Sequence, residues 1–423
     1  METRVIKVNQ REPEEELIKE AAELIKAGKL VAFPTETVYG LGANGLDEEA
    51  AKRIFLAKGR PQDNPLILHV ASMEEVKPLV KAIPKEAELI AEKFWPGPIT
   101  MIFERSSLVP DVITAGLDTV AIRMPDHKIA LSLIKASGVP IAAPSANTSG
   151  KPSPTLAQHV IKDLYGKIDM VIDGGATGVG LESTVLDLTG DRPTILRPGG
   201  VTLEDLRPII PNVTLDLSII KDGEKIIPKS PGQKYRHYAP KADMLVYSGQ
   251  IDNIVEAINM KTKKLIEEGK KVGIMATEET KDKYKEGIII SVGTRKDKRT
   301  IAHNFFNVLR LFDENKVDTI LAEGVEFKGL GIAIMNRMKK ASGGNIIDVG
   351  TRKDKRTIAH NFFNVLRLFD ENKVDTILAE GVEFKGLGIA IMNRMKKASG
   401  GNIIDVGTRK DKRTIAHNFF NVL

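Results

Sequence analysis

The chain has 423 residues, 28% charged and 42% hydrophobic, with no cysteine. That length suggests two or three domains, and the missing thiols exclude a disulfide scaffold, a thiolate metal site and a cysteine nucleophile. The formal net charge is +6, yet residues 349–423 hold 14 Lys and Arg against 8 Asp and Glu. This leaves 48 of each sign in 1–348, so charge gives no argument for a nucleic-acid or membrane partner.

The start, Met1 to Glu16, lacks the basic-then-apolar order of a signal peptide. No apolar run reaches the ~18 residues of a membrane span, so a cytoplasmic protein without membrane contact is expected. Low aromatic content with many Lys, Glu and Ile leans toward a thermophile. Pro13 and Glu14 to Glu16 suit a helix start, Leu17, Ala21, Leu24 and Ile25 form its stripe, and Gly28 stops it. Strand Leu30–Phe33 follows, then a helix from Asp47 to about Ala57. Further strands are expected at Leu66–Val70, Ile99–Phe103, Val120–Met124, Val139–Ala142, Met170–Asp173, Thr184–Leu188 and Thr194–Leu196. Helices are expected at Met73–Val80, Glu86–Phe94, Ile129–Ala136 and Leu156–Leu164. Strands interspersed with helices predict an open, twisted, mixed α/β sheet.

Residues 207–240 carry five prolines and no sustained periodicity, which reads as a linker. The pattern then restarts as a smaller, Rossmann-like α/β unit over 241–348 with mostly parallel strands. Val292–Asp348 recurs letter for letter as Val349–Asp405, and its first 18 residues recur as Val406–Leu423. Repeats kept for function normally drift, so 349–423 reads as a recent duplication or an artefact.

Five polar clusters sit at strand ends or in Gly/Pro-rich loops, where α/β proteins place their sites. Pro34 to Gly42 brings Thr35, Glu36 and Thr37 after a strand, either as a ligand loop or as a self-satisfied turn. Lys58-Gly59-Arg60, with Asn64 following, places two cations at a helix end. They suit a phosphate or the helix dipole. His69 alternates with apolar neighbours. Arg123 lies on an otherwise apolar strand that Thr119 precedes, and a buried arginine needs a partner. Ala143 to Ser153 is rich in small hydroxyls and includes Ser145 and Asn147. Glu182-Ser183 and Arg197 complete the set. There is no P-loop, no complete dinucleotide fingerprint, no H-E-x-x-H and no nucleophile elbow. Positioning and charge stabilisation are therefore expected, without a protein metal cage.

Pro34-Thr35-Glu36-Thr37-Val38-Tyr39-Gly40-Leu41, Lys58-Gly59-Arg60-Pro61, Asn64-Pro65-Leu66, Trp95-Pro96-Gly97-Pro98-Ile99-Thr100 and Pro144-Ser145-Ala146-Asn147 occur in this order. Together they closely resemble the YrdC-like threonylcarbamoyl-AMP synthases. Ser230 to Pro240 is similar to the linker signature of the family's long form, which adds a C-terminal α/β domain. The resemblance spans about 10–348. It implies a catalytic domain over 10–206, a linker and lid over 207–240, and an accessory domain over 241–348.

The resemblance also implies a nucleotidyltransferase: L-threonine, bicarbonate and ATP, with magnesium on the phosphates, give threonylcarbamoyl-AMP and pyrophosphate. The product then goes to a tRNA threonylcarbamoyl-transferase complex for modification beside the anticodon, without direct tRNA binding being required. Lys58, Arg60, Ser145 and Asn147 correspond to the family's nucleotide tetrad, with Lys58 and Arg60 as catalytic groups. Asn64, Thr119, Ser153, Arg197, Tyr235 and His237 are further ATP contacts expected here. Arg123 is expected to clamp the threonine carboxylate. Thr35, Thr37, His69, Ala143 and Ser183 are expected to complete the amino-acid pocket. Two other readings stay open. One is an RNA-binding module using the basic loops as a phosphate groove. The other is a hydrogenase-maturation role, whose zinc-finger part the absence of cysteine excludes.

Overall fold

The computed structural model describes residues 2–220, 237–350 and 387–398. The chain divides into two compact units, Met1–Ser248 with Ile254–Ile347, and Gly249–Asn253 with Asp348–Leu423.

In the first unit, an 11-stranded sheet is built from β1 (Arg4–Lys7), β2 (Val31–Phe33), β3 (Gly40–Asn44), β4 (Ile67–His69), β5 (Ile99–Glu104), β6 (Thr119–Arg123), β7 (Ile141–Ala142), β8 (Met170–Asp173), β9 (Thr184–Asp187), β10 (Thr194–Arg197) and β11 (Thr214–Leu215). Their order is β1-β8-β2-β3-β7-β4-β6-β5-β9-β10-β11. Pairing is mixed: β6 runs parallel to β4 and antiparallel to β5.

Alternation along the central strands decides where the site can be. Leu68, Val120, Ile122, Met101 and Phe103 join the main core. Helix Glu48–Lys58 covers it with Ala50, Ala51, Ile54 and Phe55, and helix Lys85–Phe94 with Ala87, Ile90 and Ala91. The opposite face carries only a small apolar group, Ile67, Ile102, Ala121, Val185 and Leu196. Period-two geometry puts His69, Thr100 and Arg123 on that same face. Helices Glu15–Lys26 and Lys128–Ser137 pack elsewhere, against β1, β2 and β8.

The elements largely follow the sequence pattern, with Asp47 capping its helix by accepting from the backbone N–H of Glu49 and Ala50. Three differences have physical causes. β1 has only four residues, too few for a periodic signal, and gains its place by parallel pairing with β8. It also carries the first sheet's edge ahead of residue 10. Gly40-Leu41-Gly42 is strand rather than loop, because β2 supplies antiparallel partners. Residues 207–215, expected in the linker, belong to the first sheet. Ile210 and Val213 are buried in its core and β11 pairs with β10.

The second sheet contains β12 (Asp243–Ser248), β13 (Val272–Ala276), β14 (Ile288–Ser291), β15 (Thr319–Glu323) and β16 (Ile346–Asp348), ordered β14-β13-β15-β12-β16. The pairings β12–β15, β13–β14 and β13–β15 are parallel. Helices Lys298–Glu314 and Leu330–Ala341 bury Phe305, Phe306, Phe312, Ile334 and Met338 against it. This core also takes in Val38 and Leu181 from the first domain. Of 349–423, the helix Leu387–Ala398 is described, with the letters of Leu330–Ala341.

Candidate active site

A cavity of about 70 Å³ opens on the sparsely covered face of the first sheet. Its lining includes Thr37, Arg60, His69, Arg123, Ala143, Ser145, Glu182, Ser183, Arg197 and His237, all singled out from sequence, together with Tyr238.

One end is built from strand termini. The β4–β6 register sets His69 beside Arg123, and the β5–β6 register sets Thr100 beside it on the other side. Arg123 donates from Nη1 to Thr37 Oγ1 at 2.9 Å, and Nη2 lies 2.5 Å from Glu36 Oε2. The Thr37 hydroxyl is itself 2.9 Å from that of Thr35. Ser183 Oγ lies 2.8 Å from Thr100 Oγ1. Burial, with the charge of Arg123, lowers the His69 imidazole to about 3, so it is neutral at ordinary pH.

The other end is cationic. Arg197 donates from Nε to Ser183 O and from Nη2 to Ser183 Oγ, both at 3.0 Å. Gly199 allows this approach: a Cβ there would come 2.2 Å from the Thr184 backbone nitrogen. Arg60 donates to the carbonyls of Asn64 and Pro65 at 3.2 and 3.1 Å, while its Nε has no partner among the described residues. Burial lowers both guanidiniums to about 10, so each still carries its charge. The Asn64 side chain is buried without a partner among the described residues.

Lys58, which the sequence offers to a phosphate or to the helix dipole, is bonded to backbone carbonyls. Its ammonium is buried and donates to the backbone carbonyls of Ser145 and, at 2.6 Å, Asn147. Burial pushes its pKa well below the lysine range, and Arg60 adds to the effect. Ser145 Oγ donates to Asn147 Oδ1 at 2.5 Å, and Asn147 Nδ2 donates to the carbonyls of Thr148 and Lys151. Three of the tetrad, Lys58, Ser145 and Asn147, thus form one bonded cluster with Lys58 as its pin, while Arg60 bonds to the Asn64 and Pro65 carbonyls instead.

Ser153 donates to Glu182 Oε1 at 2.5 Å. Burial pushes the Glu182 carboxyl up, but Arg337, Arg197 and this hydrogen bond outweigh it and hold it low. Thr119 is not drawn in: it begins the strand that Arg123 ends, about 13 Å away at a strand's rise. Tyr235 lies outside the described residues. His237 and Tyr238 do line the cavity, and the Ala239 N–H donates to Gly150 O at 2.8 Å. Sequence reasoning missed Arg337, whose guanidinium reaches Glu182 Oε2 at 3.0 Å and Pro198 O at 2.6 Å. The available signal was an arginine between Met335 and Met338 on an apolar helix.

The family model described as "Telomere recombination", covering Sua5, YciO and YrdC proteins, matches residues 23–199. A second, described as "Threonylcarbamoyl-AMP synthase, C-terminal domain", matches 201–343 and again 344–400. A threonylcarbamoyl-AMP synthase of Pyrococcus abyssi is 54% identical over 348 residues, which is 82% of this chain and 100% of that protein. The chain belongs to the threonylcarbamoyl-AMP synthase family. It has the family's long form, with both domains matched. The Bacillus subtilis threonylcarbamoyl-AMP synthase is 48% identical over 78% of this chain and 94% of its own. A crystal structure of P. abyssi Sua5 complexed with L-threonine superposes with a TM-score of 0.78 at 53% identity, covering 82% of this chain and 99% of that one. Like these synthases, the chain is an enzyme of transferase type. The second C-terminal match, 344–400, falls mostly on the repeated segment. No helix among the described residues is long and apolar enough to cross a membrane. No group of three or more His, Asp or Glu among them could hold a metal ion.

Proposed function

We propose that this chain makes threonylcarbamoyl-AMP and pyrophosphate from L-threonine, bicarbonate and magnesium-bound ATP, as a nucleotidyltransferase. The observation that carries this reading is one cavity with two chemically different ends. Arg123, His69, Thr37 and Ser183 offer a carboxylate fork and hydroxyl partners for threonine. Arg60 and Arg197 offer fixed positive charge for phosphoryl oxygens, and the loop pinned by Lys58 supplies Ser145 and Asn147.

In this reading the neutral threonine amine attacks the bicarbonate carbon and water leaves, giving a carbamate. A carbamate oxygen attacks the α-phosphorus, and pyrophosphate leaves in line. Magnesium arrives with ATP as part of the substrate. Catalysis is mainly proximity and electrostatics, because the two ends share one floor. Nucleotide sites usually exceed about 300 Å³, so in this reading the cavity widens to admit ATP, with the segment that carries His237 as the part of the wall that opens and closes. A closed site protects a carbamate and a mixed anhydride from water. The product would pass to a tRNA-modifying transferase in the cytoplasm.

The test is pyrophosphate release with each substrate omitted in turn, and mass spectrometry of the product. A threonine-dependent adenylate is expected. Pyrophosphate release indifferent to threonine or bicarbonate would overturn the assignment.

A further inference from the structure

We propose that the helix Lys298–Glu314 is a spacer between the two ends of the cavity, with His303 and Arg310 as the positioning residues at its two grips. This rests on the reading above that the two ends hold two substrates that react with each other. Neither residue is among the described residues that line the cavity.

The helix belongs to the second domain, where Phe305, Phe306, Leu309 and Phe312 anchor it in the core. Residues 303 and 310 are seven apart, two turns of an α-helix. They share one face, about 10 Å apart along the axis. That face meets the first domain, because both side chains bond to it. His303 Nδ1 lies 2.8 Å from Gly178 O, and since a carbonyl only accepts, Nδ1 carries the proton and donates. The loop comes close enough to touch the helix backbone. A Cβ on Gly180, whose φ is +81°, would lie 2.5 Å from His303 Cα.

Each grip leads to the cavity by a short chain of bonds. Beyond Gly178, Val179 N–H donates to Glu36 O at 2.6 Å and Gly180 N–H to Thr37 O at 3.1 Å. Thr37 lines one end of the cavity. At the other grip, Arg310 Nη2 donates to Pro152 O at 2.6 Å and to Asp163 Oδ2 at 2.9 Å. Asp163 also accepts from Lys151, whose carbonyl accepts from Asn147 Nδ2, both at 3.0 Å. Asn147 accepts from Ser145, which lines the cavity. The two gripped segments, 174–183 and 143–156, are loops, whereas the element between them is a helix packed into a core. Binding of either substrate alone depends on its own end. The step that joins them depends on the spacing between ends, where a 1 Å error costs about 10²-fold.

The test is a double-mutant cycle on the full chain. The readout is kcat for threonine-dependent pyrophosphate release at saturating threonine, bicarbonate and ATP. It is expressed per ATP-binding site counted by calorimetry, so unfolded protein does not enter it. His303→Ala and Arg310→Met should each lower kcat by about 10-fold or more, with the Kd of ATP and of L-threonine, each measured alone, close to wild type. The double variant should be no slower than the poorer single one, because one released grip already frees the spacing. His303→Asn, whose Nδ2 can donate from the place of Nδ1, should recover most of kcat. Losses that multiply in the double variant, a change confined to the affinity for one substrate, or H303N as slow as H303A would overturn the spacer. Wild-type pyrophosphate release that ignores threonine would overturn the substrate reading, and this inference with it.

Discussion

Arg337, on a helix of the accessory domain, is fully buried and sets its guanidinium against Glu182, beneath the cationic end of the cavity. The C-terminal domain therefore braces the wall of the first domain's site through Glu182. Arg310 makes a second such link, to Asp163 at 2.9 Å and to Pro152 O at 2.6 Å. Arg337→Met should leave a buried carboxylate without its main counter-charge and cost about 3–5 kcal/mol. Denaturant titration should show this loss, and Glu182→Gln in the same background should recover part of it. Equal stability of Arg337→Met and wild type would contradict the account.

The two ends of the cavity should separate by mutation. Arg60→Ala should raise the ATP requirement, and Arg123→Ala the threonine requirement, each by ~2–5 kcal/mol in binding. Independent titration of the two substrates checks this. Identical profiles for the two variants would refute the division.

Serine should be a poorer substrate than threonine, by ~1–3 kcal/mol at most, because it lacks one methyl. Competition between the two amino acids, read from the adenylate products, gives the ratio directly. Equal turnover would mean that nothing in the pocket meets the methyl.

Stability should fall in mild acid. His69 is lowered to about 3, and His159 to about 4, by burial first, with the charges of Arg123 and Arg310 respectively adding to it. His159 Nδ1 accepts from the Thr155 backbone N–H at 3.2 Å and needs its lone pair. Both folded values lie below the unfolded value near 6.5, so the unfolded chain binds protons first. The stability is present above about pH 6.5 and is lost as pH falls toward 3–4. At pH 5 each buried histidine costs about 2 kcal/mol. Denaturation midpoints at pH 7.5 and 5 should show the drop, and His159→Gln should reduce it.

Ligand should protect the segment that carries His237 and Tyr238. Limited proteolysis with and without ATP plus threonine is expected to show slower cleavage near residue 237 when both are bound. Cutting there should abolish turnover while both domains stay folded. Unchanged cleavage, with full activity after the cut, would reduce the segment to a tether.

Arg123 shows what was legible in the sequence. A charged residue on an apolar strand demands a partner, and period-two alternation places it opposite the core. Lys58 shows the limit. Its position at a helix end was readable, but its two carbonyl partners lie 87 and 89 residues away. β11 escaped notice because two residues carry no periodic signal, and only pairing with β10 makes them a strand. Arg337 escaped because its role depends on docking between domains. The repeat makes the same point: the same letters recur in Leu387–Ala398, where Arg394 is exposed. Context sets the fate of that side chain.

The pairing of β1 with β8 joins Arg4 to Met170. During synthesis the first strand emerges long before its partner. At ribosomal speeds of about 5–20 residues per second, it waits roughly 8–30 s with its edge unpaired. Arg4, Val5 and Lys7 are exposed even in the finished sheet, and two of these three are cationic. Charge on a lone strand discourages pairing with neighbouring chains. The N-terminus is thus the last edge of its half of the sheet to close, and its charges guard a nascent chain as much as they decorate a folded one.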